Sequence, residues 1–321
     1  MEDLTRILVT GGAGFIGTGL LRRLLQEQTE KRLEIRALDV RPNRVGGYTS
    51  IQGDILDVPV LEQAMKDCDI VVHLAAFLGV RLSDRDRLKC LETNITGTRN
   101  VLDACLANDV RKLIFTSSSE VYGENGTEPF SETSPLCPKS VYAVSKLAGE
   151  EYIQAYATRY GFDYSILRPF NVYGPDQSEE FVIPRFVRAA IEGRPPQVYG
   201  SGQQVRAFCS VDDFVEGLTL ALFSPEANGE VINLGNDTEG ITILELGRKI
   251  VALSDNRGPI PELVPYEKAD RTSERDVNWR VPYLQKAKRI LGYTPKIDLD
   301  DGIFRFFESL KSTRVSGFPR P

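Results

Sequence analysis

The stretch Arg6-Ile-Leu-Val-Thr-Gly-Gly-Ala-Gly-Phe-Ile-Gly17, running on into TGLLRRLLQEQ, decides the fold. Ile7-Leu8-Val9 reads as a short apolar strand, and FIGTGLLRRLL repeats apolar residues at helical spacing. Gly11, Gly12, Gly14 and Gly17 lie between strand and helix. Glycines there let the chain turn sharply, let the backbone approach a pyrophosphate and let the helix pack on the strand. The helix N-terminus then offers open N–H groups to phosphate oxygens. A second strand, LEIRALD, ends at Asp39, about 20 residues beyond the glycines, where a ribose-binding acid belongs. An acid at that place favours NAD, because it repels a 2′-phosphate. Arg41, two residues on, keeps NADP as the minority alternative.

Outward from this unit the alternation continues. SIQGDI reads as a strand, VLEQAMKD as a helix, DIVVHLAA as a buried strand and CLETNITGTRNVLDACLAND as one long helix. KLIFTSSS, a helix through YAVSK and the strand FDYSILRP follow. This pattern predicts an α/β fold, a Rossmann-type doubly wound parallel sheet. Ligands of such sheets sit at the carboxyl ends of the strands, where Asp54, the segment Leu74-Ala75-Ala76 and Ser118 fall. After Arg168-Pro169 proline and glycine become frequent and strands shorten. We therefore divide the chain into a dinucleotide-binding part, 1–168, and a smaller C-terminal α/β substrate-binding part, 169–321, with interleaving allowed. The second part holds the helices FVIPRFVRAAIEG, DDFVEGLTLALF, ILELGRKIVALS and LQKAKRILGY and the strands VINLG and QVRAFCSV.

The chemistry concentrates between Phe115 and Lys146, in FTSSSEVYG and SVYAVSK. Tyr142 and Lys146 are four residues apart on a helix, hence on one face. A tyrosine with pKa near 10 is a poor base at neutral pH. A lysine ammonium beside it is expected to lower that pKa, as is the positive ring of an oxidised nicotinamide. Tyr142 can then take a proton from a substrate hydroxyl, with Ser118 or Ser119 sharing or relaying it.

Composition limits the alternatives. The 321 residues carry a formal net charge of −6, with 41% hydrophobic and 26% charged residues, which fits a globular protein and argues against nucleic-acid binding. No apolar run approaches the ~18 residues of a membrane span. No signal-peptide layout precedes the first strand, and the five cysteines show no CxxC, so a cytoplasmic protein with reduced thiols is expected. The single histidine, His73, excludes His-rich metal sites; no metal is expected, and His73 reads as a core residue of a buried strand.

TGGAGFIG, GDI, HLAA, the Asn-x-x-Gly-Thr at Asn94, SSSEVYG, YAVSK, RPFNVYGP, GSGQQVRAF and LQKAKRILGY occur in this order. Over nearly its whole length the chain thus resembles an extended short-chain dehydrogenase/reductase of the nucleotide-sugar epimerase/dehydratase group. The resemblance implies Gly11, Gly14 and Gly17 at the pyrophosphate, with Phe15 and Ile16 beside them. It implies Asp39 at the adenosine ribose, Asp54 and Ile55 at adenine, and Leu74, Ala75, Ala76 and Pro169 along the cofactor. It implies Tyr142 as base, Lys146 on the nicotinamide ribose, and an architectural Asn94. Asn171 and Arg206 match the family's contacts to a substrate diphosphate, for which an arginine fork is well shaped. Arg271 and Arg275 lie in a charged loop and stay open between substrate and solvent. The partner implied is a nucleotide-diphosphate sugar, and the assembly a homodimer.

The reaction is less sharply marked. An NDP-sugar 4-epimerase needs only the Ser/Tyr/Lys set. A 4,6-dehydratase of the group carries Asp-Glu before VYG, and this chain has Ser119-Glu120. The uronate decarboxylases it resembles carry Ser-Glu there and an arginine in a segment like DVxxRxP, matching Asp276-Val-Asn-Trp-Arg280-Val-Pro282. We rank 4-epimerase first, UDP-glucuronate-type decarboxylase second and dehydratase third. A catalytically silent NAD-binding regulator of the same fold is the fourth reading; such proteins lose the Tyr or the Lys, and both are present.

Overall fold

The computed structural model describes residues 4–42, 45–78, 83, 85–124, 126, 129–238, 240–254, 258–269 and 277–315. β1 (Thr5–Thr10), β2 (Leu33–Asp39), β3 (Thr49–Gln52), β4 (Ile70–His73), β5 (Lys112–Thr116) and β6 (Asp163–Pro169) alternate with α1 (Phe15–Glu27), α2 (Val58–Met65), α3 (Arg87–Leu91), α4 (Gly97–Ala107) and α5 (Val141–Tyr160). The second half adds β7 (Val172–Tyr173), β8 (Gln197–Tyr199), β9 (Val205–Ala207), β10 (Cys209–Ser210), β11 (Glu230–Leu234), β12 (Gly240–Thr242), β13 (Glu262–Val264) and β14 (Trp279–Arg280). Its helices are α6 (Val182–Ile191), α7 (Val211–Phe223), α8 (Ile243–Leu253), α9 (Gln285–Leu291) and α10 (Leu299–Val315).

Seven strands form one parallel sheet in the order β11-β6-β5-β4-β1-β2-β3. The order reverses between β1 and β4, which pair through Thr10 and His73, and this opens the crevice at their carboxyl ends. Residues of β1 alternate between the two faces: Ile7 and Val9 join the core under α1 and α7, and Leu8 joins the core under α2 and α4. These strands are buried on both sides and read as continuous apolar runs for that reason.

Two departures from the expected elements matter for the site. CLETNITGTRNVLDACLAND is not one regular helix: a π-helical turn, Glu92–Thr96, separates α3 from α4 and carries Asn94. QVRAFCSV divides into β9 and β10, which belong to different sheets. The chain also returns to the first sheet after residue 169. β11 pairs with β6, and Phe214, Leu218 and Leu222 of α7 pack in the same core as Leu20 and Leu24 of α1.

Candidate active site

Gly11 is held at φ +74°, and a Cβ there would stand 2.7 Å from the Ala75 amide nitrogen. A Cβ on Gly17 would run into the Gly11 carbonyl. These two positions therefore accept only glycine. Gly14 is the N-cap of α1 and makes no side-chain cap, so the N-cap residue offers no acceptor to the first-turn N–H groups that begin at Phe15 and Ile16. An uncapped helix start behind a tight glycine turn suits a diphosphate. The Asp39 carboxylate closes the same turn, accepting from the Ala13 amide at 3.0 Å and the Arg41 amide at 2.9 Å. The Arg41 guanidinium lies 3.6 Å from Asp39 and donates to the Ala13 carbonyl at 3.1 Å.

The remaining candidates surround this crevice. The amides of Leu74 and Ala75 donate to the Thr10 carbonyl and hydroxyl, which fixes the segment leading to Ala76. Asp54 is exposed and accepts from the Leu56 amide at 3.0 Å. Ile55 is buried, and its carbonyl accepts from Asn100. Pro169 ends β6.

We expect Asp39→Ala to lower the preference for NAD over NADP roughly 10–100-fold, the value of one hydrogen bond to a charged group. Calorimetric titration of both dinucleotides reads it. An unchanged ratio would remove Asp39 from cofactor selection.

His73 is fully buried, with Nδ1 2.8 Å from the Thr10 hydroxyl and Nε2 3.0 Å from the Thr98 hydroxyl. Burial, with Lys146 nearby, pushes its pKa down to about 3, so it is a neutral core residue as the sequence suggested. Between pH 3 and the ordinary value near 6.5 the unfolded chain binds a proton that the folded chain refuses. Stability therefore falls as pH drops through that window. From pH 7.0 to 5.5 the parent should lose roughly 1 kcal/mol more than His73→Gln, measured by urea unfolding. Equal losses would show that His73 is not the titrating group.

Lys146 and Tyr142 come together as the helix spacing requires. Ser140 caps α5, accepting from the Ala143 amide at 3.0 Å. Lys146 Nζ donates to the Thr116 carbonyl at 2.8 Å and lies 4.8 Å over the Phe115 ring and 5.9 Å over the Tyr142 ring. Ser118, not Ser119, meets Tyr142: its hydroxyl acts on the phenol by hydrogen bonding and lowers the phenol's pKa. Ser119 is buried in the short 3₁₀ turn that follows.

The electrostatics of the pair run against the expectation from helix spacing. Burial first, then Glu120 and Cys90, raise the Tyr142 pKa, and these outweigh Ser118. Burial also lowers Lys146 to about 8, against Cys90 and Glu150. Without the dinucleotide, desolvation works against both charged forms and the phenol stays neutral. The nicotinamide ring's positive charge is the remaining influence of those the sequence suggested. Asn94 sits beneath, donating to the Ser145 hydroxyl at 2.9 Å and the Phe77 carbonyl at 3.1 Å and accepting from the Phe77 amide.

Glu120 and Arg280, 160 residues apart in the chain, face each other. Arg280 Nη1 lies 3.8 Å from Glu120 Oε1, with side-chain exposures of 14% and 24%. Glu120 Oε2 also accepts from the Ser140 hydroxyl at 3.0 Å. Arg280 Nε is buried and has no hydrogen-bond partner among the described residues. β14 places Arg280 beside Arg206 of β9 in parallel register. Arg206 is buried, and Asn171, at φ +41°, donates to the neighbouring Ala207 carbonyl at 2.8 Å. The Tyr142/Lys146 pair thus has Glu120 and Arg280 near it, with Arg206 on the strand beside Arg280. Arg271 and Arg275 lie outside the described residues. Among the described residues no group of His, Cys, Asp and Glu could hold a metal, and no helix is long and apolar enough to cross a membrane.

The sequence reading missed Ser140, Cys90 and Glu150. Ser140 carried a local signal, a serine immediately before a helix. Cys90 and Glu150 act only through contacts made in the folded chain.

A glycine-turn cleft facing a Ser/Tyr/Lys cluster defines a dinucleotide-dependent enzyme of the short-chain dehydrogenase/reductase type. The chain belongs to the NAD dependent epimerase/dehydratase family, which it matches over residues 7–235. It is 36% identical to a UDP-N-acetyl-alpha-D-glucosaminuronate decarboxylase of Bacillus cytotoxicus, over 93% of this chain and 95% of the relative. It is 30% identical to MoeE5 in complex with UDP-glucuronic acid and NAD, with a TM-score of 0.87 over 96% and 99% of the two chains. It is also 30% identical to a UDP-glucuronic acid 4-epimerase from Bacillus cereus in complex with UDP-glucuronic acid and NAD, with a TM-score of 0.86 over 96% and 100%. NAD is the family's cofactor, and the uncapped glycine turn fits it.

Proposed function

We propose that this protein decarboxylates an NDP-hexuronate through a transient 4-keto sugar. The observation that carries this reading is the Glu120–Arg280 pair beside Tyr142, set 3.8 Å apart, beyond hydrogen-bond reach, with both side chains partly exposed. A guanidinium held in this way has donors left for a substrate carboxylate. The decarboxylase from Bacillus cytotoxicus supports it.

NAD, held by the Gly11–Gly17 turn, supplies the hydride acceptor and donor for sugar C4. Tyr142, with Ser118, takes the O4 proton. The resulting ketone lies β to the C6 carboxylate, so the C5–C6 bond can break as CO2 leaves and its electron pair passes into a C4–C5 enolate. A proton then reaches C5, managed by Glu120, the carboxylate that acts on the Tyr142 phenol. Tyr142 returns its proton to O4 as the ketone is reduced. Arg280 orients the carboxylate, and Arg206 with Asn171 holds the diphosphate.

The 4-epimerase, first on sequence alone, becomes the second reading. The likeness to the UDP-glucuronic acid 4-epimerase favours it, since that enzyme also handles a uronate. Incubation with UDP-glucuronate, UDP-N-acetylglucosaminuronate, UDP-glucose and dTDP-glucose, followed by product mass, separates the readings. Loss of CO2 is the expected result. An isomer of unchanged mass means epimerase, and loss of water means dehydratase.

A further inference from the structure

Beneath the crevice runs a hydrogen-bonded chain of fully buried groups that neither catalysis nor cofactor binding uses directly. Glu150, one turn beyond Lys146 on α5, accepts from the Ser117 hydroxyl at 2.5 Å and from Arg168 Nε at 2.9 Å through Oε1, and from Arg168 Nη2 at 2.5 Å through Oε2. Arg168 Nη1 donates to the Tyr122 hydroxyl at 2.9 Å. That hydroxyl donates to Asn233 Oδ1 at 2.7 Å, and Asn233 Nδ2 donates to the Phe130 carbonyl at 3.0 Å. Phe130 in turn pairs by backbone with the residues just after Arg280: its amide donates to the Val281 carbonyl at 2.9 Å, and its carbonyl accepts from the Tyr283 amide at 2.8 Å. Ser117, Glu150, Arg168, Tyr122, Asn233 and Phe130 are each at most 3% exposed.

The chain joins six separate pieces of sequence: α5, the serine turn after β5, β6, β11, the loop holding Phe130 and the segment that follows β14. Its two ends are what the reaction must bring into register. One end is the helix carrying Tyr142 and Lys146, and the other is the strand carrying Arg280. Tyr122 is its middle link. Its ring stacks on Phe130 at 5.0 Å and 5° between planes, while its hydroxyl alone joins Arg168 to Asn233. A buried network with every member satisfied has one arrangement, and so transmits position rather than slack.

We propose that Tyr122 and Asn233 are positioning residues that set Arg280 against Tyr142 through this buried relay. The expected loss in kcat rests on the decarboxylase reading, in which Arg280 meets the departing carboxylate. The product mass of the parent tests that reading by itself, so a failure of the relay and a failure of the reaction assignment are distinguishable. Tyr122→Phe keeps the ring and its stacking and removes only the hydroxyl. Asn233→Ala removes the next link.

The experiment uses the full chain and whichever nucleotide sugar the parent enzyme turns over. We expect Tyr122→Phe to bind NAD with parental affinity, to keep KM within a few-fold, and to lose kcat by roughly 10²-fold, as an ångström-scale misplacement does. Because the relay works through Arg280, Tyr122→Phe combined with Arg280→Ala should be no slower than Arg280→Ala alone. Asn233→Ala should behave in the same way. Losses that multiply with Arg280→Ala would overturn the proposal, since the relay would then act elsewhere. A lowered melting temperature with unchanged kcat, or failure of both variants to bind NAD, would reduce the network to a fold-stabilising element and overturn it equally.

Discussion

Tyr142→Phe should lose about 10²–10⁴-fold in turnover, the usual consequence of removing a positioned acid–base group. The dinucleotide should still bind, because the diphosphate is expected at the glycine turn Gly11–Gly17, of which Tyr142 forms no part. Desolvation and Glu120 hold the phenol protonated in the free protein, so the base forms only with a cation close by. The loss should therefore appear in single-turnover NADH formation as well as in product release. Absorbance of NADH after mixing the NAD-loaded enzyme with a nucleotide sugar measures it. Near-parental rates in Tyr142→Phe would show that another group takes the O4 proton.

Arg280→Ala is the second variant of large effect. Under decarboxylation the guanidinium meets the departing carboxylate, and kcat should fall roughly 10²–10³-fold, as for the loss of one aimed charged donor. Oxidation at C4 does not need that contact, so NADH should accumulate with UDP-glucuronate while CO2 release is suppressed. Glu120→Gln should show the same separation, because it loses the carboxylate that faces Arg280 and Tyr142. Under plain 4-epimerisation Arg280→Ala raises KM more than it lowers kcat, and no NADH accumulates. The two patterns differ in kind, so one stopped-flow trace beside one product mass decides between them.

The glycine turn, Asp39 and the Tyr142/Lys146 spacing were legible because each is local. A turn, a strand end and a helical repeat write themselves into adjacent residues. The opposed pair Glu120–Arg280 was legible only as two separate suspicions, since nothing in either segment says that the other lies 3.8 Å away. The electrostatics of Tyr142 were misread for a related reason. Its distance from Lys146 along the helix is fixed by spacing, but the weight of burial depends on everything packed around it. The C-terminal helix α10 was visible and unread: Leu299, Ile303, Phe306 and Phe307 repeat at helical spacing and fill a separate core, away from the large sheet, with Ile243 and Leu246. The π-turn at Asn94 was not legible, because the sequence runs through it with unbroken helical character and the side-chain contacts of Asn94 occupy its interior.

The return of β11 and α7 to the first sheet also governs how the chain comes into being. During synthesis β6 emerges long before its neighbour, and the segment from Val172 to Phe223 must be made before Glu230–Leu234 can dock along it. At roughly 5–20 residues per second this leaves the edge of β6 exposed for several seconds. Asn233, the link between Tyr122 and Phe130, arrives only with that last strand. A ribosome-bound chain stopped before residue 230 thus holds both Tyr142 and the glycine turn, yet lacks the edge strand that covers β6.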